Sequence, residues 1–165
     1  MENITINKDS QSDSVWTLNI GDKQLYLNMP YDVFCHDFAK YIDHTHKSVH
    51  DNILRILVPL KTNDCYIYDQ EVSNIEVYFL NNKIYKIILD LSAAATTVQS
   101  SSTDIKLYQD KIKQLAKNIK KMVIAQFGET DDSETHFRYE ENGCRLCSSI
   151  DRDSIHYYIL LTITA

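Results

Sequence analysis

The stretch Ile75-Glu76-Val77-Tyr78-Phe79-Leu80-Asn81-Asn82-Lys83-Ile84-Tyr85-Lys86-Ile87-Ile88-Leu89-Asp90-Leu91 decides the fold class. Ile75, Val77 and Phe79 alternate up to Asn81-Asn82, and Tyr85, Ile87, Leu89 and Leu91 alternate on the way back. Successive side chains of a strand point to opposite faces, and Asn tolerates the left-handed backbone of a tight reversal. The stretch therefore predicts a β-hairpin with one buried face.

Working outward, the same pattern recurs upstream. Val15 to Met29 alternates about Gly21-Asp22, with Trp16, Leu18 and Ile20 on one strand and Leu25, Leu27 and Met29 on the other, which predicts a second hairpin. Pro30 then suits the first turn of a helix, and Phe34, Phe38, Tyr41 and Ile42 recur at helical spacing to about Thr45. Ile53 to Leu60 reads as a buried strand. A turn at Lys61 to Asp64 and a strand at Cys65 to Asp69 would make it a further hairpin.

Downstream, Ser92 to Thr103 holds no charge and no bulky residue beyond Val98, so residues 92–103 are expected to form a mobile loop. From Asp104 the pattern turns helical. Tyr108, Ile112, Leu115, Ile119, Met122 and Val123 form one stripe, while Lys111, Lys113, Lys117, Lys120 and Lys121 take the remainder. Asp104 would sit at the positive pole of this helix and the last lysines at its negative pole, with Gly128 as the stop. The acidic linker from Glu129 to Glu134 leads to a strand at His136 to Glu140. An Asn142-Gly143 turn and a partner strand at Cys144 to Ser149 follow. Ile155 to Thr164 is apolar on both faces and belongs in the middle of a sheet.

Hairpin, helix, strands, hairpin, long helix and three strands make an α+β chain of antiparallel sheet with two main helices. The order parses as two successive ββαββ units with one strand added. A length of 165 residues fits a single domain, 1–165, in which the polar residues 1–14 are expected to be a flexible arm.

Composition narrows the function classes. Acidic residues outnumber basic ones 23 to 17, for a net charge of −6 at pH 7. That balance repels a phosphate backbone and argues against nucleic-acid binding, whereas a basic protein partner would be attracted. No apolar run approaches the roughly 20 residues of a helical membrane span. Nothing in the first residues reads as an export signal, so the expected compartment is the reducing cytoplasm, with Cys35, Cys65, Cys144 and Cys147 as thiols.

Four constellations could carry chemistry. Cys144 and Cys147 have Cys-x-x-Cys spacing, but in an alternating strand residues i and i+3 face opposite ways, which suits packing better than a metal clip. His44, His46 and His50 cluster after the first helix. Continued as helix, they would bring His46 and His50 to one face at zinc-binding spacing, without the Glu of His-Glu-x-x-His. Cys35-His36 are helix neighbours that diverge by about 100°, a poor geometry for proton exchange. Paired carboxylates at Glu140-Glu141 and Asp131-Asp132 read as solvated turn residues. With only Gly21, Gly128 and Gly143 available, no loop can cradle a phosphate. No cofactor, metal site or catalytic residue is expected. Glu129, Asp131, Asp132 and Glu134 are instead the residues expected to meet a partner, because clustered carboxylates steer basic proteins.

Taken with the run Glu129-Thr130-Asp131-Asp132-Ser133-Glu134 and its motif-poor α+β layout, the chain resembles the small bacterial immunity proteins of contact-dependent inhibition. That resemblance implies a non-enzymatic, cytoplasmic protein that binds and neutralises a basic toxin, often a nuclease. It carries over no binding residues, and the four acidic positions rest on charge alone. A second resemblance, to the acidic class I chaperones of type III secretion, is opposed by the hairpin at Val15 to Met29, since those chaperones begin with a helix. A metal-dependent enzyme built on the His and Cys residues is the third alternative.

Overall fold

The computed structural model describes residues 2–60, 65–91, 102–130, 133–152 and 157–165. In chain order its elements are β1 (Glu2–Lys8), β2 (Trp16–Ile20), β3 (Lys23–Tyr26), α1 (Tyr31–Asp37), a 3-10 segment (Ala39–His44), β4 (His46–His50) and β5 (Ile53–Pro59). There follow β6 (Cys65–Ile67), β7 (Gln70–Glu71), β8 (Asn74–Leu80), β9 (Lys83–Asp90), α2 (Ser102–Phe127), β10 (Arg138–Glu141), β11 (Cys144–Arg152) and β12 (Tyr157–Thr164). The class is α+β. Strands β3-β2-β1-β6-β7 form a five-stranded sheet, and β10-β11-β12-β9-β8-β5-β4 form a seven-stranded one.

The hairpin of β8 and β9 turns at Asn81-Asn82, both at positive φ, and lies inside the larger sheet. Ile75, Val77 and Phe79 are buried as their alternation requires. On β9 a register shift at Tyr78/Phe79 turns Tyr85 outward and buries Ile84 in its place, so the expected inward row starts one residue earlier. β12 sits between β11 and β9, a central position, with Tyr157, Ile159, Leu161 and Ile163 buried.

Both helices lie on the same side of the larger sheet. The inward Phe79 ring meets Tyr31 and Phe34 of α1 at 5.3 and 5.4 Å, and the Tyr157 hydroxyl accepts the Gln109 amide of α2 at 2.8 Å. α2 continues onto the smaller sheet, where Phe127 packs edge-on against the buried Trp16 at 5.2 Å. Buried residues from both sheets and both helices form one core. No helix among the described residues is long and apolar enough to cross a membrane.

Four expectations need correction. Of the arm expected at 1–14, residues 2–8 are instead strand, because β1 pairs with β2 from Ile4↔Ile20 to Lys8↔Trp16 and buries Ile4 and Ile6. Two inward isoleucines suffice for a half-buried strand even when every neighbour is polar. In the same segment the Ser14 hydroxyl donates to the Trp16 carbonyl at 3.1 Å and accepts the Leu27 amide at 3.0 Å. The first helix stops at Asp37 and tightens into a 3-10 segment, after which residues 46–50 are strand. Those residues carry no helical apolar stripe, and the edge of β5 offers them backbone partners. β5 and β6 do not pair. β6 crosses to the other sheet and runs parallel to β1. Finally, the last turn of α2 holds no basic residue. Two sheets fit a two-part reading of the chain, but strand pairing draws the division, since β6 and β7 leave the run between β5 and β8 to join β1. Within the loop expected at 92–103, residues 92–101 lie outside the described residues, and Ser102 and Thr103 already belong to α2.

Candidate functional site

The acidic run begins where α2 ends. Gly128, at φ 97, donates its amide to the Ile124 carbonyl at 2.8 Å, a closure open to glycine because a Cβ is strained at that φ. Unsatisfied carbonyls give a helix end about half a negative charge, which a lysine or arginine in the last turn would offset. Here the last turn has none, and the next acid, Glu129, is exposed. Glu134 is also exposed and pairs with Lys117 at 3.2 Å. The buried Lys120 donates to the Ser133 carbonyl, and Tyr139 donates to the Gly128 carbonyl at 2.6 Å, so the run is tied at both ends. Asp131 and Asp132 lie outside the described residues.

The remaining sequence candidates are dispersed. Cys144 is buried and Cys147 half-buried on the alternating strand β11, so they face opposite ways. His46 and His50 are exposed on the edge strand β4, where residues four apart lie about 13 Å apart along the chain instead of one helical turn. The side chain of His44 lies outside the described residues. Cys35 packs against the core while His36 points to solvent beside Asp37. Hydrogen bonds from Arg138 and Arg145 hold the Glu140 carboxyl below the ordinary carboxylate range, and one from Lys8 does the same for Glu141. Both therefore stay ionised at neutral pH and suit anchoring, not proton donation.

Sequence reasoning missed a cleft of about 480 Å³ in the smaller sheet. β1 and β6 pair only at Glu2↔Cys65 and Asn3↔Tyr66, and then diverge. The gap is lined by Asn3, Ile4, Thr5 and Ile6 of β1, by residues 66–69 of β6 and the turn after it, and by Met122 and Gln126 of α2. Gln126 spans the split. Its amide nitrogen donates to the Ile6 carbonyl at 2.6 Å, and its oxygen accepts the Tyr68 hydroxyl at 2.8 Å. Burial pushes the Tyr68 hydroxyl well above its usual pKa, so it remains a donor.

Tyr68 is also, among the described residues, the one aromatic residue at positive φ. Two-residue turns at Asp51-Asn52, Asn81-Asn82 and Asn142-Gly143 reach positive φ at both positions with residues suited to it. The turn joining β6 and β7 does so with Tyr68 (φ 48) and Asp69 (φ 62). A bulky residue held there is strained, and such strain gathers at functional positions.

Where β1 and β6 do pair, beside the cleft, a polar cluster gathers on Glu2. Glu2 accepts Lys40 at 3.0 Å, the Tyr41 hydroxyl at 3.2 Å and the Cys65 thiol at 3.7 Å. No protein-family model, curated protein or solved structure matches the chain.

Proposed function

We propose that this chain is a non-enzymatic protein-binding module of the immunity type, which holds a basic protein toxin in a stoichiometric complex and thereby blocks it. One observation carries the reading: the negative pole of the 26-residue α2, uncompensated in its last turn, runs directly into Glu129 and the acidic segment to Glu134. Helix end and side chains add in sign, so the field at this end of the molecule favours a cationic surface. Complementary charge mainly accelerates encounter and rejects wrong partners, while affinity comes from the contacts that follow.

The test is to express proteins encoded beside this one in the source genome, alone and together with it. The expected outcome is a neighbour that arrests growth alone, is harmless with this chain and co-purifies with it. Changing Glu129→Gln, Asp131→Asn and Asp132→Asn together should slow association and flatten its salt dependence. Glu134→Gln should do less, because Lys117 already neutralises that carboxylate. Harmless neighbours, or a complex whose association is indifferent to salt, would overturn the reading.

A further inference from the structure

We infer that the split between β1 and β6 is a strand-acceptor site, which takes a short extended segment of a partner protein onto the β1 edge around Ile4 to Ile6. The inference deepens the protein-binding reading and rests on it, but not on the acidic run. Three features carry it.

First, beyond Asn3 the neighbour β6 no longer pairs with β1, so this stretch of a strand in the middle of the sheet order borders a cleft. Second, the Ile6 carbonyl is met by the carboxamide of Gln126, a group with the donor and acceptor of a peptide unit. Gln126 is exposed, and a peptide backbone offers an amide for the Ile6 carbonyl and a carbonyl for the Tyr68 hydroxyl, so an incoming strand displaces the side chain by exchanging its two hydrogen bonds for equivalents. Third, Met122 stays 39% exposed at the wall of the cleft. Its flexible thioether fits an apolar side chain of variable shape, and the side chains of a bound strand alternate between Met122 and solvent. Backbone pairing supplies affinity and one apolar pocket supplies selectivity, which is how strand addition works at other sheet edges.

In a strand, a residue's N–H and C=O point to the same edge, so the Ile6 amide faces the cleft and the Thr5 amide faces β2. The probe is a phage-displayed library of linear decapeptides panned on the full chain, followed by synthesis of the enriched peptides. A bound peptide should slow hydrogen exchange at the Ile6 amide and leave that of Thr5 unchanged. N-methylation along the peptide should abolish binding at every second position. Gln126→Ala removes the resident competitor from an exposed helical position and should tighten binding about 2- to 10-fold. Weaker binding in Gln126→Ala, a methylation scan without the two-residue period, protection elsewhere, or no enriched peptide would each overturn the acceptor site. A toxic partner bound with the seam inert would leave the proposed function standing and sink this inference. Peptide binding at the seam without any toxic neighbour would do the reverse.

Discussion

The two sheets of this molecule are paired to different degrees. In the seven-stranded sheet every neighbour is antiparallel, and registers run unbroken from Arg145↔Thr164 to Arg152↔Tyr157 and from Ile53↔Leu80 to Pro59↔Asn74. In the five-stranded sheet the middle contact is a two-residue parallel pairing, reached by a chain that has already left the other sheet. The contrast follows turn chemistry. Asn81-Asn82 and Asn142-Gly143 adopt their hairpin conformation at little cost, and their strands pair along their length, broken only by the bulge at Tyr78/Phe79 in the first. Tyr68-Asp69 has no such ease, and the strands it joins are three and two residues long. The larger sheet is therefore the rigid platform, and the smaller one keeps a seam.

The sharpest way to break this comparison is to truncate one buried isoleucine in each sheet. Ile87→Ala in β9 should destabilise the protein by about 4–5 kcal/mol, near the upper limit for such changes, because this fully buried residue is flanked by paired strands on both sides, opposite Val77 and Ile163. Ile6→Ala should cost about 2–3 kcal/mol, since the adjoining cleft lets the site relax. Urea denaturation reads both, and equal costs would abolish the distinction. A smaller effect sharpens the role of the turns. Asp69→Gly should stabilise by about 0.5–1 kcal/mol in thermal melts by relieving a left-handed residue. Gly143→Ala, at φ 75 in the larger sheet, should lose about the same.

The smallest effect concerns pH. The hydrogen bond from Lys40 holds the Glu2 carboxyl below its ordinary value against an opposing contribution from burial. A carboxylate whose folded pKa is depressed adds stability that is complete above its unfolded pKa of about 4.5 and fades as pH falls through the folded value. With the side chain 32% exposed, the contribution is modest. Glu2→Gln should flatten the acid limb of the stability curve measured by denaturation between pH 5 and roughly pH 3. An unchanged limb would detach this cluster from the anchoring of β1.

What the sequence made legible follows the same division. Gly21-Asp22, Asn81-Asn82 and Asn142-Gly143 announce hairpins through local chemistry, and the stripe of Ile112, Ile119 and Val123 announces α2. β1 was hidden because Ile4 and Ile6 are its only apolar residues, and β4 because Val49 is its only one and is exposed. The destination of β6 was hidden for another reason: periodicity says which face of a strand is buried, not which sheet it joins. The acidic run was legible as charge directly after the Gly128 stop, although the absence of a basic residue from the last turn of α2 was not. The seam draws on Ile6, Tyr68 and Gln126, far apart in the chain, so no local pattern could assemble it.

The central place of β12 carries a consequence for synthesis. Its neighbour β9 is complete at Asp90, but β12 begins only at Tyr157, after α2, β10 and β11 have been made. At roughly 5–20 residues per second, the β9 edge waits on the order of several seconds for its partner. During that interval Ile87 and Leu89 stand at an unpaired edge of the half-built sheet. Nascent chains emerging close together on one message would present matching edges to each other, so the same order of strands that centres β12 makes the interval before it the vulnerable period for mispairing.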